Sequence, residues 1–392
     1  MREQVTGLNH RMLTWARERA GKEIEQVARE LKREPGEVRA WEAGTSAPTY
    51  AQLEKLAYTV LKRPLALFFF PEPPDEPDPE HSFRTLPAVE QARLSSDSRF
   101  KFRMAQALRL SLVELCNGRN PAPRHIFRDL KLGQGEPVPA AAKAVREYLG
   151  VSFEMQVSWK NSDQALKEWR QAIEGVGVFV FKSSFKQKEI SGFCLYDSEF
   201  PLIYVNNSTA KTRQIFTLFH ELAHILLGES GVTKVDFRYP AALKGWEAGI
   251  EVFCNQFAAE FLAPEGELRG RLTRRSARDD EAVRTVADAF HVSREVILRR
   301  CLDLGWVPPR YYETKVDEWL AEYRRQVGER EGSGGDYYAT QAAYLGPAYL
   351  DLVFGKYFEG DISLPQAADH LNIKASSFSG LEEVFLKQAV SG

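Results

Sequence analysis

This 392-residue sequence has little of what commits a chain to a special environment. It holds only four cysteines, Cys116, Cys194, Cys254 and Cys301, and none has a paired spacing. That excludes a disulfide framework and a cysteine-rich zinc knuckle, and points to reduced thiols in the cytoplasm. No apolar run approaches the roughly 20 residues needed to cross a bilayer, and the N-terminus is polar, not signal-like. The whole chain is therefore expected in the cytoplasm, without a membrane partner. A net charge of -2 leaves no global pull toward nucleic acid. What remains is an ordinary soluble composition, with 44% hydrophobic and 27% charged residues and length enough for two or three domains.

Histidine is also scarce, at seven residues, yet two of them fall four apart in His220-Glu221-Leu222-Ala223-His224. Residues at that spacing lie nearly above one another on a helix, so both imidazoles can reach one metal. Glu221 points to one side, where it can hold a metal-bound water. The surrounding TRQIFTLFHELAHILLG is apolar nearly all round and ends at Gly228, which predicts a buried helix. Hydrogen-bonded core histidines are the bland alternative. A third histidine in the pattern HExxHxxGxxH would need Gly at 227 and His at 230, but Leu227 and Ser230 stand there.

The third ligand is then expected to be a glutamate on a second helix, with water completing a zinc site. WEAGIEVFCNQFAAEFLAP offers Glu247, Glu251 and Glu260 before Pro264. Glu251 is favoured because Asn255, one turn on, can hold a ligand histidine from behind; Glu247 is the competitor. Cys254 is read as a small buried cysteine.

Residues 1–70 read as four or five short helices. Apolar spacing marks Met12, Leu13 and Ala16, then Ile24, Val27, Ala28 and Leu31, then Val38 and Trp41 after Pro35. Thr49 and Gln52 predict a capping box for the helix carrying Leu53, Leu56 and Val60. The module has 12 Lys and Arg against 9 Glu, net +3, a modest footprint for DNA. Arg33 and Arg39 are its candidate DNA contacts; a protein-docking or dimerising role is the alternative. PEPPDEPDPE (71–80) is an extended spacer, so 71–85 is read as a linker. A helix is expected over about 95–117. Strands are expected in GVGVFVFK (175–182), ISGFCLY (190–196) and PLIYVNN (201–207), the last two paired across a short turn. EGSGGD (331–336) separates a helix and linker, 311–335, from a helical C-terminal domain, 336–392, assigned to partner binding or self-association. His291 and His370 are read as surface or packing histidines.

Two stretches resemble known families. WARERAGKEIEQVARELKREPGEVRAWEAGTSAPT is similar to the Cro/XRE, lambda-repressor-like helix-turn-helix family. PLIYVNN, RQIFTLFHELAH and EVFCNQFAAEFLAP resemble the ImmA/IrrE zinc metallopeptidases. The second resemblance implies Zn2+ on His220, His224 and Glu251, with Glu221 as general base, in a gluzincin-like domain spanning 86–310 that includes helix-turn-helix-like helices at 280–305. It also implies a regulatory protease that cuts a dedicated repressor or antitoxin. Tyr239 and Arg238 are the candidates for stabilising the oxyanion. The expected fold is mainly α with a small β-sheet (α+β): a five-helix N-terminal domain, the peptidase domain and the C-terminal helices. DNA and a second copy of the chain are further candidate partners. The rival reading is a DNA-binding regulator or toxin–antitoxin component whose zinc domain is a sensor or scaffold with little peptidase activity.

Overall fold

A computed structural model describes residues 4–74, 94–234, 245–328 and 336–391. Most of the 71–85 linker, the bulk of EGSGGD, and Arg238 and Tyr239 lie outside the described residues. The chain divides into two compact units, Met1–Gln106 with Phe185–Gln187, and Ala107–Ser184 with Lys188–Gly392. The fold is mainly α with one small mixed sheet.

In the first unit, helix His10–Arg19 starts at Asn9, whose side chain accepts from the Arg11 amide at 3.1 Å. Ile24–Leu31 follows, with the Glu23 amide donating to Gln26 Oε1 at 3.1 Å. Lys32 turns the chain in the left-handed region at φ 58°, and Pro35 opens helix Pro35–Glu42 at its first position. Tyr50–Glu54 is capped as its sequence predicts, the Thr49 amide donating to Gln52 Oε1 at 2.7 Å. It runs on as a wider π-helical segment, Lys55–Leu61, and a 3-10 turn, Leu65–Phe69, follows. Met12, Leu13, Val27, Ala28, Trp41, Leu53 and Phe68 meet in one core. Arg17 ties the first helix to the third through Glu42 at 2.7 Å.

Helix Ser96–Leu115 matches the periodicity expected over 95–117. Beyond it, Val138–Leu149 and Ser162–Glu174 lead into the sheet. β1 (Phe179–Ser183), β2 (Ile190–Leu195), β3 (Leu202–Asn206) and β4 (Val232–Lys234) lie in the order β1-β3-β2-β4. β1 runs parallel to β3, with Phe181 opposite Tyr204. β2 is antiparallel to β3, with Cys194 opposite Ile203, as the short turn between them suggests. Every residue of β2 and β3 is buried. Burial on both faces explains why β3 reads as an apolar run, Leu202 to Val205, without alternation.

The histidine helix, Lys211–Leu226, lies on this sheet, and every residue from Gln214 to Leu226 is buried. Gly192 in β2 permits the close approach, since a Cβ there would stand 2.5 Å from Thr217 Cγ2. On its other side packs the glutamate helix, Gly245–Leu262. Phe219 stacks on Phe261 with ring centroids 4.0 Å apart, and Trp169 closes on Phe219 edge-first at 4.8 Å. Such aromatic pairs contribute about 0.5–1.5 kcal/mol beyond their buried area. Here they also fix how the two helices slide against each other, and Phe219 immediately precedes His220.

The C-terminal helices Tyr337–Leu345, Pro347–Phe358, Leu364–His370 and Phe378–Ser391 belong to the second unit. The buried Arg170 holds them, donating to the carbonyls of Ala343 at 2.8 Å and Leu345 at 3.0 Å while pairing with Glu174 at 3.1 Å. Phe181 of β1 meets Tyr349 edge-first at 5.2 Å. His370 is buried and its carbonyl accepts from the Tyr349 hydroxyl at 2.9 Å. His291, also buried, ends helix Asp280–Phe290 at φ 57°.

Candidate metal centre

Both histidines sit one turn apart on a helix apolar on every side, so their ring nitrogens would be costly to bury without partners. The glutamate helix supplies them. His220 Nε2 lies 3.3 Å from Glu251 Oε2, and His224 Nε2 lies 3.2 Å from Glu251 Oε1. The two Nε2 atoms are 3.1 Å apart. All three side chains are buried, His224 completely and Glu251 to within 3%. Glu251, not Glu260, is the acid that reaches the imidazoles: Glu260 lies nine residues on, about two and a half turns and so on the far face, and pairs with the buried Arg300. The side chain of Glu247 lies outside the described residues.

The donor set fits a small divalent ion. His220, His224 and Glu251 each present one ligand atom, all within 4.8 Å of one another. A tetrahedral zinc ion with donors at ~2.0–2.1 Å sets neighbouring donors ~3.3 Å apart. The observed spacings of 3.1, 3.2 and 3.3 Å match one face of such a tetrahedron. Lone-pair nitrogens and a carboxylate facing each other at this range repel unless positive charge is supplied among them.

The surroundings orient the set. Asn255 Oδ1 lies 3.1 Å from His220 Nδ1. That oxygen takes the ring hydrogen and leaves the lone pair on Nε2, facing the centre. Gly231 lies flat against the His224 ring; a Cβ there would stand 2.6 Å from Cγ and Cδ2. Cys254 is fully buried beside His224. Glu221 is held by Thr233: its Oε1 accepts from the Thr233 amide at 3.1 Å and from the Thr233 hydroxyl. Its Oε2, by contrast, has no partner among the described residues.

The electrostatics follow from burial opposed by charge. Burial pushes the Glu221 carboxyl up from the ordinary carboxylate range, against the pull of both imidazoles. Burial acts on Glu251 in the same sense, but the charge and hydrogen bonds of His224 and His220 override it and hold the carboxyl down at about 2. For His224, burial opposes the imidazolium, yet Cys254 and Glu251 together raise it well above its usual value. One carboxyl is thus kept ionised and the other is made a better proton holder, within a single helix pair.

Thr233, Gly231 and Cys194 carry no mark in the sequence. β4 has three residues, too few to show alternation, and its pairing with β2 is long-range. Cys194 sits across that pairing, its thiol accepting from the Gly231 amide at 3.3 Å. The candidate DNA contacts lie on the first unit. Arg39 pairs with Glu25, and Arg33 lies 3.9 Å from Glu37.

Among the described residues no helix is long and apolar enough to cross a membrane. No curated protein matches the chain. Residues 173–302, which contain the four strands, the histidine helix and the glutamate helix, match the peptidase M78 family model, described as the IrrE N-terminal-like domain.

Proposed function

We propose that the protein is a cytoplasmic zinc-dependent metallo-endopeptidase that regulates by cleaving one dedicated repressor- or antitoxin-type protein. The observation that carries this reading is the convergence of His220, His224 and Glu251 beside a carboxyl, Glu221, with one anchored and one open oxygen. The match to the peptidase M78 model supports the same class. His220, His224 and Glu251 would hold the zinc, which when bound would supply Lewis-acid chemistry toward the scissile carbonyl and its water. Glu221 takes the proton from the attacking water at its open oxygen and passes it to the leaving amine. Thr233 keeps that carboxyl in one rotamer, and Asn255 keeps His220 in the tautomer that faces the centre.

Incubation of the full-length chain with the repressor encoded beside it, followed by mass mapping of fragments, tests the proposal. Glu221→Gln keeps stoichiometric zinc by elemental analysis and loses cleavage by roughly 10²–10⁴-fold. Cleavage by Glu221→Gln at the parent rate removes Glu221 from its role.

For the first unit, Arg39 with Glu25 and Arg33 with Glu37 form exposed pairs, which are weak, so DNA and a protein partner, a second copy included, both stand as readings of this unit. A salt-dependent DNA shift that survives zinc removal, without cleavage of any neighbouring repressor, would instead support the DNA-binding regulator.

A further inference from the structure

The first turn of the histidine helix, at the end away from the histidines, borders a cavity of about 390 Å³. Small-molecule sites typically measure ~300–1,000 Å³ and combine an apolar lining with a few convergent polar groups. Val316, Trp319 and Leu320, all from helix Pro309–Gly328, form an apolar side. The lining also carries three cations, Lys188, Arg213 and Arg294, and one acid, Glu295. The charges are not equally available. Arg294 is held by Glu322 at 2.7 Å, with its guanidinium 4.8 Å from the Trp319 ring centre. Arg213 donates to Ser191 Oγ at 3.3 Å, and Glu295 accepts from the Tyr312 hydroxyl at 3.4 Å. Lys188 is exposed and takes part in no ion pair among the described residues. Ala210, at the N-cap of the histidine helix, has no side chain to accept from the first-turn amides, and it too lines the cavity.

We propose that this cavity binds a small amphipathic monoanion, a carboxylate on an aromatic or aliphatic body. The body lies against Trp319 and Leu320, and the carboxylate turns toward Lys188 and the start of the histidine helix. An excess of cations over acids excludes a cationic ligand. Counting Glu322, which pairs with Arg294, three cations face two acids and leave one net positive charge, which disfavours a polyphosphate. The site is separate from the metal centre, so it stands or falls independently of the peptidase reading.

The test is calorimetric titration of the full-length chain with 4-phenylbutyrate, indole-3-butyrate and octanoate, each set against its neutral amide. At least one acid is expected to bind tenfold or more tightly than its amide. Ala210→Phe, which fills the cavity, is expected to abolish that binding. Lys188→Met is expected to weaken the acid about tenfold and leave the amide unchanged. Thermal unfolding of each variant checks that the fold is kept. Absence of binding by all three acids overturns the proposal. So does equal affinity for acid and amide, or acid binding that survives Ala210→Phe in a folded chain.

Discussion

Gly231→Ala is the sharpest test of how the candidate metal centre is held. A Cβ at this position stands 2.6 Å from Cγ and Cδ2 of His224 and 2.8 Å from Cε1, whereas ordinary contact begins at 3.4 Å. The ring and the backbone must therefore separate by 3.4 − 2.6 = 0.8 Å. The backbone can yield little, because the Gly231 amide donates to Cys194 Sγ at 3.3 Å and its carbonyl accepts from the Cys194 amide at 3.0 Å. Most of the shift falls on the imidazole. Metal–ligand distances tolerate about 0.2 Å, and changes to residues that orient a ligand usually cost 10–100-fold in affinity. Gly231→Ala is accordingly expected to weaken zinc about 10–100-fold in competition with a chelating dye. Gly266→Ala, at an exposed helical position with nothing within 4 Å of the added Cβ, serves as the control and is expected to leave zinc affinity unchanged. Thermal unfolding separates a displaced ligand from a lost fold. Zinc affinity within twofold of the parent, in a folded Gly231→Ala chain, would refute the argument that His224 is positioned by this contact.

Glu251→Gln keeps the side-chain volume but removes the charge, and is expected to lose zinc under dialysis while Glu247→Ala retains it; the opposite pattern would move the third ligand. Lys182 on β1 carries a pH prediction. Burial, reinforced by Arg170 and Lys211 and opposed by Glu174 and Asp163, pulls its ammonium down from 10.5 to about 7. Between those two values the unfolded chain holds a proton that the folded chain lacks, so stability rises with pH across that window and falls toward pH 7. Chemical denaturation of Lys182→Met between pH 7 and pH 9.5 is expected to show a shallower rise than the parent, and an identical slope would show that Lys182 is solvated.

Several parts of the fold were legible because they depend on neighbours in sequence. The i, i+4 spacing of His220 and His224 places them on one helix face wherever that helix packs, and an all-apolar surround announces that it is buried. The capping pair Thr49 and Gln52, Pro35 at the start of its helix, and the hairpin of β2 and β3 are equally local. Glu251 was readable for a related reason: Asn255 is one turn away, and both side chains address His220.

The remainder required the chain to fold back on itself. Glu247 and Glu251 share one helix face, one turn apart, so which of them stands level with the histidines depends on how far the glutamate helix slides along its partner, which the stack of Phe219 on Phe261 sets across 42 residues. Thr233 reaches Glu221 only because β4 pairs with β2. Glu260, one of three apparent candidates, is drawn off by Arg300, 40 residues downstream. Arg33 and Arg39 look free as residue types, and only the packed helices bring Glu25 beside Arg39. Sequence alone determined the pair of imidazoles, the neighbouring acid and the helices that carry them, because covalent spacing and helical period fix those relations. Tertiary structure brought the favoured carboxylate, Glu251, against the imidazoles and added the groups that hold the cluster in place, because those contacts join residues far apart along the chain.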